Sequence, residues 1–476
     1  MNEVIEGEDS PIGRCLGANG IQIVIKRVQN AVVARGYVTT RILAAPQDIA
    51  SGALKLTVIP GRVRSIRFAE EPSMRGTMWN ALPVRPGDVL NLRDIEQGLE
   101  NFKRVPTSTA DIRIEAAEGD GAGPGQSDLV ISYQQSFPFR LALSVDDAGS
   151  KATGRYQGTA TLSYDNWWTL NDLFYLSVNH DLGGGDTGWR GTRGGTVHYS
   201  IPFQYWLLSM TANRHRYFQT VAGATQDYVY SGRSSNSDVR LARVVYRDAR
   251  RKTTLSLRGY HRESSNYIDD TEVRPQRRRT AGWEAAVAHR EFIGTSILDL
   301  NLAYRHGTSA FGTLAATEEA FGEGATRPIV WNADVALNVP FTLAQYRLRY
   351  AGSLRAQFNA TPLVPQDRVA IGGRYTVRGF DGEMVLSADR GWILRNELGL
   401  SLGDSGQELY VALDAGEVGG PASRYLTGTR LAGVALGLRG SFRGLSYDVF
   451  AGQPVDKPQG FRTASTTAGF SLNWSY

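Results

Sequence analysis

The sequence predicts two small α+β units followed by an all-β transmembrane barrel, and three observations lead to this prediction. Apolar and polar residues alternate along extended runs from residue 137 to the C-terminus, as in strands that face lipid on one side and an aqueous lumen on the other. Glycine supplies 53 of the 476 residues and aromatic residues supply 10%, which suits many strands joined by turns. Helical periodicity occurs only before Pro106, which places the α+β units at the N-terminus.

The first unit, residues 1–62, combines one helix with two extended runs. Residues 20–35 are predicted to be helical because their apolar side chains recur every three to four positions, and Gly36 is a natural helix stop. Extended runs follow at Tyr37–Leu43 and Leu54–Ile59. The apolar stripe of the helix consists of Ile21, Val24, Ile25, Val28, Ala31 and Val32.

The second unit, residues 63–136, has the predicted order β-α-α-β-β. Its elements are Val63–Phe68, residues 74–81, Leu92–Val105, Ala110–Glu115 and Asp128–Gln134. The longer helix is predicted because Ile95, Leu99 and Phe102 share one face, and Asn91 is suited to cap its first turn. A glycine-rich hairpin joins the last two strands.

The barrel, residues 137–476, is predicted from strands of period two. Phe139, Leu141 and Leu143 alternate with polar or small residues, and similar runs recur as far as Phe470–Tyr476. A soluble sandwich or propeller also alternates, but long runs, charges on the polar face and tryptophans at the ends of runs favour a membrane barrel. At roughly 20 residues per strand and loop, the segment accommodates about 16–17 strands, and the even strand number of bacterial barrels favours 16.

Composition and motifs point away from a helical membrane protein and from an enzyme. No run of about 18 apolar residues exists. The single cysteine, Cys15, excludes an intrachain disulfide, and the six histidines lack metal-ligand spacing. The sequence contains no phosphate-binding loop, and Gly403–Gly406 imitates a serine-protease motif within a predicted turn that lacks catalytic partners. We therefore predict no catalytic residue, no metal and no cofactor.

The net charge of +5 leaves nucleic acid, anionic lipid and a polar pore open as explanations. Only six of the 52 basic residues are lysine, so 46 are arginine. The clusters Arg247–Lys252 and Arg274–Arg279 are able to contact lipid phosphates or nucleic acid, but such runs are more often solvated loops. We predict solvated loops and no binding of nucleic acid.

Four segments, in their order and spacing, carry a family resemblance. Residues 36–62 read GYVTTRILAAPQDIASGALKLTVIPGR and residues 90–106 read LNLRDIEQGLENFKRVP. Residues 374–380 read RYTVRGF and residues 409–418 read LYVALDAGEV. These segments resemble, respectively, the first POTRA domain, the second POTRA helix, the tip of a loop folded into the barrel lumen, and the wall that receives this loop in two-partner secretion transporters. That family, which secretes haemolysins and filamentous haemagglutinin, lies within the Omp85 superfamily.

The resemblance implies a contact between the loop tip and the barrel wall. Its members are Val377, Arg378, Gly379 and Phe380 in the tip and Asp414 and Gly416 in the wall. Parity supports the pairing, because Leu409 and Leu413 are predicted to face lipid and Asp414 therefore faces the lumen. The planar fork of arginine suits a carboxylate. The alternative is that Arg378 is one of many arginines on an exposed loop.

The last strand resembles the assembly signal of outer-membrane barrels. Its aromatic and apolar members are Phe470, Leu472, Trp474 and Tyr476. The resemblance implies recognition by the barrel assembly machinery and contact with outer-membrane lipid.

The function implied by the resemblance is export of a secreted exoprotein passenger in extended form. The POTRA sheets have open edges, so β-augmentation is the expected mode of capture. Vectorial folding of the passenger, without ATP, is expected to drive export by a monomer. An adhesin, a haemolysin and a contact-dependent toxin all remain open as passengers. The alternatives are an Omp85-type outer-membrane protein assembly factor, a general diffusion porin and an outer-membrane enzyme.

The N-terminus departs from the family pattern. Residues 1–9 contain neither a basic region nor an apolar segment typical of a signal peptide. By comparison with the family, the chain begins inside the first POTRA domain, without its first strand and most of its first helix. We expect the reading frame to extend upstream of Met1.

Overall fold

The computed structural model of the protein describes residues 10–49, 52–70, 75–119 and 122–476. Two α+β units precede a closed antiparallel barrel, which confirms the predicted fold class. Residue 74, the start of one predicted helix, lies outside the described residues. So does the middle of the glycine-rich hairpin, residues 120–121.

The first unit packs helix α1 (Ala18–Ala34) beside a two-stranded antiparallel sheet of β1 (Arg41–Leu43) and β2 (Thr57–Ile59). Gln29 on the helix joins the two parts, because its side chain donates to the Thr40 carbonyl at 2.8 Å and accepts from the Ile42 N–H at 2.9 Å. Both strands are shorter than the predicted runs. The chain turns after the helix, so the Thr40 N–H bonds the Tyr37 carbonyl and only then does β1 begin.

The second unit is a three-stranded sheet with two helices, in the predicted element order. Its strands are β3 (Arg62–Phe68), β4 (Ser108–Ala116) and β5 (Gln126–Gln135), and its helices are α2 (Met78–Ala81) and α3 (Leu92–Phe102). Strand β5 is central, parallel to β3 and antiparallel to β4. Leu90, Phe102 and Ile131 are buried in the core between sheet and helices. Helix α3 ends before the predicted Val105, because a residue that precedes proline disfavours the helical conformation.

Sixteen long strands close the barrel within residues 122–476, a stretch that the structure describes without a gap. They are β6 (Phe139–Asp146), β7 (Gln157–Asp165), β8 (Leu173–Asp181), β9 (Arg190–Phe203), β10 (Trp206–Ala222), β11 (Asp227–Arg247), β12 (Arg251–Ile268), β14 (Arg278–Ile293), β15 (Ser296–Thr308), β16 (Ile329–Leu343), β17 (Tyr346–Asn359), β20 (Arg390–Ser401), β21 (Glu408–Gly419), β22 (Arg430–Phe442), β23 (Leu445–Asp456) and β24 (Thr467–Ser475). The short strand β13 (Thr271–Glu272) extends one hairpin, and β18 (Val369–Ile371) pairs with β19 (Leu386–Ala388) apart from the wall. The barrel closes where β24 pairs with β6.

Alternation separates an apolar outer face from a polar lumen, as the sequence predicts. Along β21, Leu409, Val411 and Leu413 are exposed on the outer face, whereas Tyr410 and Asp414 are buried on the inner side. The closed sheet pairs the backbone groups of neighbouring strands with each other, which is what a lipid environment requires. None of the helices in the described part of the chain is long and apolar enough to cross a bilayer.

The two ends of the barrel differ in their connections. Short turns such as Gln204–Tyr205, Ala344–Gln345 and Arg443–Gly444 join strands at the end that carries the α+β units, which we call the proximal end. Longer segments, including residues 309–328 and 360–389, lie at the opposite, distal end.

The second unit is docked against proximal turns through buried polar side chains. Asn101 of α3 donates to the Gln204 carbonyl at 2.8 Å, and Asn80 of α2 donates to the Leu170 carbonyl at 2.5 Å. The Tyr205 hydroxyl donates to the Asp94 carboxylate at 2.5 Å. These bonds satisfy turn carbonyls that would otherwise be buried without partners.

The basic cluster Arg247–Lys252 takes part in the same docking. Arg247 donates to Glu100 at 2.7 Å and to Gln97 at 2.9 Å, and Lys252 also bonds Glu100. The prediction of a solvated loop is therefore wrong for these two residues, because the acidic face of α3 packs over them. In the cluster Arg274–Arg279, Arg278 pairs with Glu318 and Arg279 pairs with Glu263, so the prediction also fails for two members there.

Docking shifts two carboxylates of α3 in opposite directions. Burial raises the pKa of Asp94 above its ordinary value, against the smaller effect of the hydrogen bond from Tyr205. Burial also raises the pKa of Glu100, but hydrogen bonds from Lys252 and Arg247 outweigh it, and the pKa of Glu100 is lowered overall. The docked arrangement is therefore stabilised when Glu100 is an anion and when Asp94 is neutral.

Candidate functional site

A loop of residues 360–389 leaves the distal end between β17 and β20 and folds into the lumen. The hairpin of β18 and β19 forms its stem. Asp389 fixes the base of the loop, because its buried carboxylate accepts the Leu363 N–H at 2.9 Å and the Ala422 N–H at 3.0 Å. At the other end, residues 374–380 form the loop tip.

The loop tip turns sharply so that its arginine meets the wall. Thr376 Oγ1 accepts the N–H groups of Gly372 and Gly373 at 3.1 Å each, and the Val377 N–H bonds the Gly373 carbonyl at 3.0 Å. Gly372 has φ +130°, a conformation that only glycine adopts without strain. Gly372 therefore supplies the bend that precedes the tip.

Arg378 and Asp414 form a buried contact with several bonds. Arg378 Nε and Nη2 donate to the two Asp414 carboxylate oxygens at 2.7 and 2.8 Å, and the Arg378 backbone N–H adds a third bond at 3.0 Å. Arg378 is 5% exposed and Asp414 is 0% exposed. The remaining guanidinium nitrogen, Nη1, donates to Glu397 at 2.7 Å. We call these bonds of Arg378 to Asp414 and Glu397 the tip contact.

The tip contact continues into a chain of alternating charges along the wall. Arg439 pairs with Glu397 and Glu408, and Arg349 donates to Glu408 at 2.7 and 3.0 Å. Each carboxylate thus lies between arginines, which favours its charged form and holds the arginine side chains in place. The Tyr410 ring lies under two of these guanidinium groups, 4.8 Å from that of Arg439.

Glycines in the wall allow the backbone of the tip to approach closely. A Cβ on Gly433 of β22 would lie 2.0 Å from the Arg378 carbonyl oxygen. A Cβ on Gly379, which has φ +101°, would lie 2.3 Å from the Gln453 carbonyl oxygen. Gly416 faces the apolar part of the loop, where a Cβ would lie 3.3 Å from Val377 Cγ2. Side chains at Gly433 and Gly379 would displace the tip from the wall, whereas a Cβ at Gly416 needs only a small adjustment of its neighbours.

Apolar packing surrounds the other tip residues. Val377 is fully buried, and the Phe380 ring meets Phe461 edge to face with centroids 5.7 Å apart. Phe461 belongs to the segment between β23 and β24, while Ile371 and Leu386 come from the loop stem. The lumenal loop therefore has a small hydrophobic core of its own, shared with distal segments of the barrel.

A second arginine of the tip bridges the strands that close the barrel. Arg374 pairs with Asp147, which follows β6, and donates to the Phe470 carbonyl of β24 at 3.2 Å. The Asp147 carboxylate also accepts the Phe470 N–H at 2.8 Å. The loop is thus tied to the pairing of β24 with β6, which extends only from Ser471 to Ser475.

Three of the predicted residues of the C-terminal strand lie apart from this site, whereas the backbone of Phe470 bonds Arg374 and Asp147. Leu472, Trp474 and Tyr476 are exposed on the outer face at the proximal end, and the Trp474 and Tyr476 rings stack with centroids 6.3 Å apart. Phe470 is on the same strand, where the Tyr156 ring lies 6.2 Å from its own.

Sequence reasoning named the two ends of the tip contact and missed the groups around it. The residues not predicted are Glu397, Arg439, Glu408, Arg349, Arg374 and Gly433. Parity along β20 and β22 would place Glu397 and Arg439 in the lumen, but parity gives neither their height nor their angle around the barrel. Gly433 carries no sequence signal for a close approach.

The buried ion pairs and apolar contacts of the site can hold a loop against the wall. Among the described residues, no cluster of His, Cys, Asp or Glu could hold a metal ion. Gly403–Gly406 lies in an exposed proximal turn between β20 and β21, where the Ser405 hydroxyl donates to the Leu402 carbonyl at 2.6 Å. The charged side chains of the loop tip, Arg374 and Arg378, are already paired with carboxylates of the barrel, and these pairs hold the loop against the wall.

Comparisons with known proteins agree with this architecture. A family model described as haemolysin secretion/activation protein ShlB/FhaC/HecB matches residues 125–440, which is more than half of the chain. A POTRA domain model matches residues 62–116, and a ShlB-type POTRA domain model matches residues 8–61.

Individual relatives cover most of the chain. The outer membrane transporter CdiB-2 of Burkholderia pseudomallei is 40% identical over 97% of this chain and 78% of its own. The structure of CdiB from Acinetobacter baumannii superposes with a TM-score of 0.88 and 32% identity, over 100% of this chain and 85% of that one. BamA from Haemophilus ducreyi, with a TM-score of 0.53 and 12% identity over 98% of this chain and 96% of that one, shares the fold alone.

Proposed function

The chain belongs to the haemolysin secretion/activation family, and from this membership we propose that the tip contact holds the lumenal loop in the resting state of the transporter. The protein is an outer-membrane transporter of a two-partner secretion system, with its POTRA domains in the periplasm. The proximal end of the barrel is therefore periplasmic. The family relationship and the CdiB structures favour this function over that of a barrel assembly factor.

The observation that supports a holding role is the position of the loop inside the lumen. An extended polypeptide needs a channel about 10 Å wide to carry its side chains through a wall. The loop tip crosses that space from the distal end to β21, where Arg378 and Asp414 are buried against each other. Export of a passenger therefore requires the tip to leave the wall.

The tip contact is suited to holding the loop reversibly. A buried ion pair gains little net free energy over its solvated partners, because desolvation offsets the attraction. When the tip leaves, Arg378 enters an aqueous lumen and recovers its hydration. The contact thus fixes one register of the loop without making release prohibitive.

Arg395 is placed to take over Asp414 after release. Its Nε lies 3.6 Å from the Asp414 carboxylate, too far for a good hydrogen bond, and is buried without a hydrogen-bond partner among the described residues. Once Arg378 leaves, a small movement of Arg395 would give Asp414 a new cation. Arg395 therefore acts as a positioning residue that lowers the free energy of the released state.

Passenger capture is proposed to occur at the POTRA sheets. In the second POTRA domain, β3 and β4 are the outer strands of the described sheet. Residues 87–90 bond the outer edge of β3 at residues 61–63, whereas no strand of the described sheet pairs with the outer edge of β4. An extended passenger segment can pair with such an edge through main-chain bonds of any sequence. The 40% identity to a CdiB transporter favours a passenger of the class that CdiB transporters export.

The proposal also covers the domain bounds, the assembly signal, the oligomeric state and the driving force of export. The domains are residues 1–62 and 63–136 for the POTRA region and 137–476 for the barrel. The exterior residues Phe470, Leu472, Trp474 and Tyr476 serve as the signal for the barrel assembly machinery. The protein acts as a monomer and a transporter rather than an enzyme, and folding of the passenger outside the cell drives export.

Secretion of the exoprotein tests the proposal. The transporter would be expressed with a signal peptide and with the exoprotein encoded beside it, and passenger in the medium would be measured at equal barrel abundance. We expect Arg378→Ala and Asp414→Ala to lose most export, because a loop without its register in the wall stays unanchored in the lumen and obstructs the passenger. We expect Arg395→Ala to slow export while leaving the resting loop in place. Wild-type export by all three variants would contradict a role for the tip contact.

A further inference from the structure

One surface of the second POTRA domain lies beside outward-facing aromatic residues at the proximal rim of the barrel, which we call the girdle: Phe139, Tyr164 and Phe203. Helix α2 presents a single exposed side chain, Trp79, which is 62% exposed, whereas Asn80 and Ala81 are fully buried. The Trp79 ring lies 5.8 Å from the ring of Phe203, the last residue of β9. Phe203 has the outward parity of Val197, and both are 44% exposed. Trp79 is therefore on the outside of the barrel, at its periplasmic rim.

Neighbouring contacts place the same part of the domain on the outer face. The Arg75 guanidinium lies 5.6 Å from the centroid of the Tyr164 ring and donates to its hydroxyl at 3.1 Å. Tyr164 shares the outward parity of Leu162 on β7, and its ring meets that of Phe139 at 4.5 Å. Two separate residues of the domain thus reach around the rim to aromatic residues that face lipid.

We propose that Trp79 is inserted in the periplasmic leaflet of the outer membrane, so that the second POTRA domain binds phospholipid directly. Continuity with the girdle supports lipid as the occupant. The centroid separation of 5.8 Å limits the difference in depth between Trp79 and Phe203 to less than 6 Å, and aromatic girdles mark the bilayer interface. Trp79 carries an apolar body and one N–H donor, the combination that tryptophan uses at this boundary.

The proposed lipid contact is a second attachment of the domain, in addition to its hydrogen bonds with the proximal turns. Asn80 and Asn101 bind the turn carbonyls of Leu170 and Gln204 on one side of the domain, and Trp79 meets lipid on the other. The domain is then held at two points, so the bilayer limits its rotation about the short linker to β6. This inference depends on the outer-membrane location and is independent of the release of the lumenal loop.

Fluorescence quenching in nanodiscs tests the proposal with the full chain. In a Cys15→Ser background, a bimane label at Trp79→Cys is compared with one at Arg85→Cys, an exposed position of the same domain beside the turn that binds Arg62. We expect spin-labelled phospholipid to quench the label at 79 several-fold more than the label at 85, and aqueous iodide to show the reverse order. Equal iodide quenching at both positions, with no lipid quenching at 79, would overturn the proposal.

A second arm keeps the native side chain, in case the label disturbs the interface. The chain has nine tryptophans, so the difference in emission between wild type and Trp79→Phe isolates Trp79. We expect this difference to be quenched by brominated phospholipid in nanodiscs. A difference spectrum that is blue-shifted but insensitive to brominated lipid would assign Trp79 to a protein contact and refute the lipid site.

Discussion

The tip contact and the docking of helix α3 use the same chemistry in different surroundings. At the tip, Arg378 and Asp414 are almost completely buried and hold each other through three bonds. At the POTRA interface, Glu100 is partly exposed and forms ion pairs with both Arg247 and Lys252. Removing Asp414 therefore leaves a buried arginine with only Glu397 as its carboxylate in the first region, whereas removing Arg247 leaves a hydrated, still paired charge in the second. Burial and redundancy, more than the number of ion pairs, decide the consequence of a substitution.

The largest effect is expected from Asp414→Ala. The variant leaves Arg378 buried with Glu397 as its remaining carboxylate, and breaking such a buried pair costs about 3 kcal/mol or more. We expect the loop to leave the wall in a large fraction of molecules, measured as faster proteolysis of residues 360–389 in purified protein. The matched control is Arg290→Ala, which removes a half-exposed lumenal pair with Asp299. Equal proteolysis of both variants would contradict the account.

Gly433→Ala tests the same contact through shape rather than charge. The added methyl group would overlap the Arg378 carbonyl oxygen, 2.0 Å away, so the tip must move outward at a cost of about 1–3 kcal/mol. We expect increased proteolysis of the loop, smaller than in Asp414→Ala. Gly259→Ala is the control, because a Cβ there meets nothing within 4 Å. An unchanged loop in Gly433→Ala would show that the close approach is dispensable.

At the POTRA interface, Arg247→Ala should have a modest effect. Lys252 continues to pair with Glu100, so we expect a loss of about 1 kcal/mol in docking. Hydrogen exchange of α3 should become several-fold faster, and added salt should narrow the difference from wild type. A loss as large as that of Asp414→Ala at the tip would remove the contrast between the two regions.

The smallest effects concern protonation at the same interface. The lowered pKa of Glu100 means that its contribution to docking is present above its ordinary pKa and is lost as pH falls through the lowered value. The raised pKa of Asp94 has the opposite sign, because its neutral form is the one favoured by docking. At neutral pH we expect Glu100→Gln to accelerate exchange of α3 and Asp94→Asn to slow it. Changes of the same sign in both variants would contradict these shifts.

Particular residues show how far the sequence alone can reach. Strict alternation along β21 predicted that Asp414 faces the lumen, because side chains of period two have only two faces to choose from. The same rule cannot say which of the other lumenal charges lies beside it, since that depends on the stagger of strands around the barrel. Glu397 and Arg439 were missed for this reason. Docking of Arg247 was missed because a local pattern of charges contains no information about the domain that covers it.

The requirement that the loop tip leave the wall is tested most directly by joining the two with a disulfide. In a Cys15→Ser background, Val377→Cys and Gly416→Cys would be combined, because a Cβ at residue 416 lies 3.3 Å from Val377 Cγ2, within disulfide reach. The account predicts that the oxidised transporter stops export at normal barrel abundance, that reduction restores it, and that Val377→Cys alone is unaffected by oxidant. Export by the fully oxidised double variant at the rate of its reduced form would contradict the central claim.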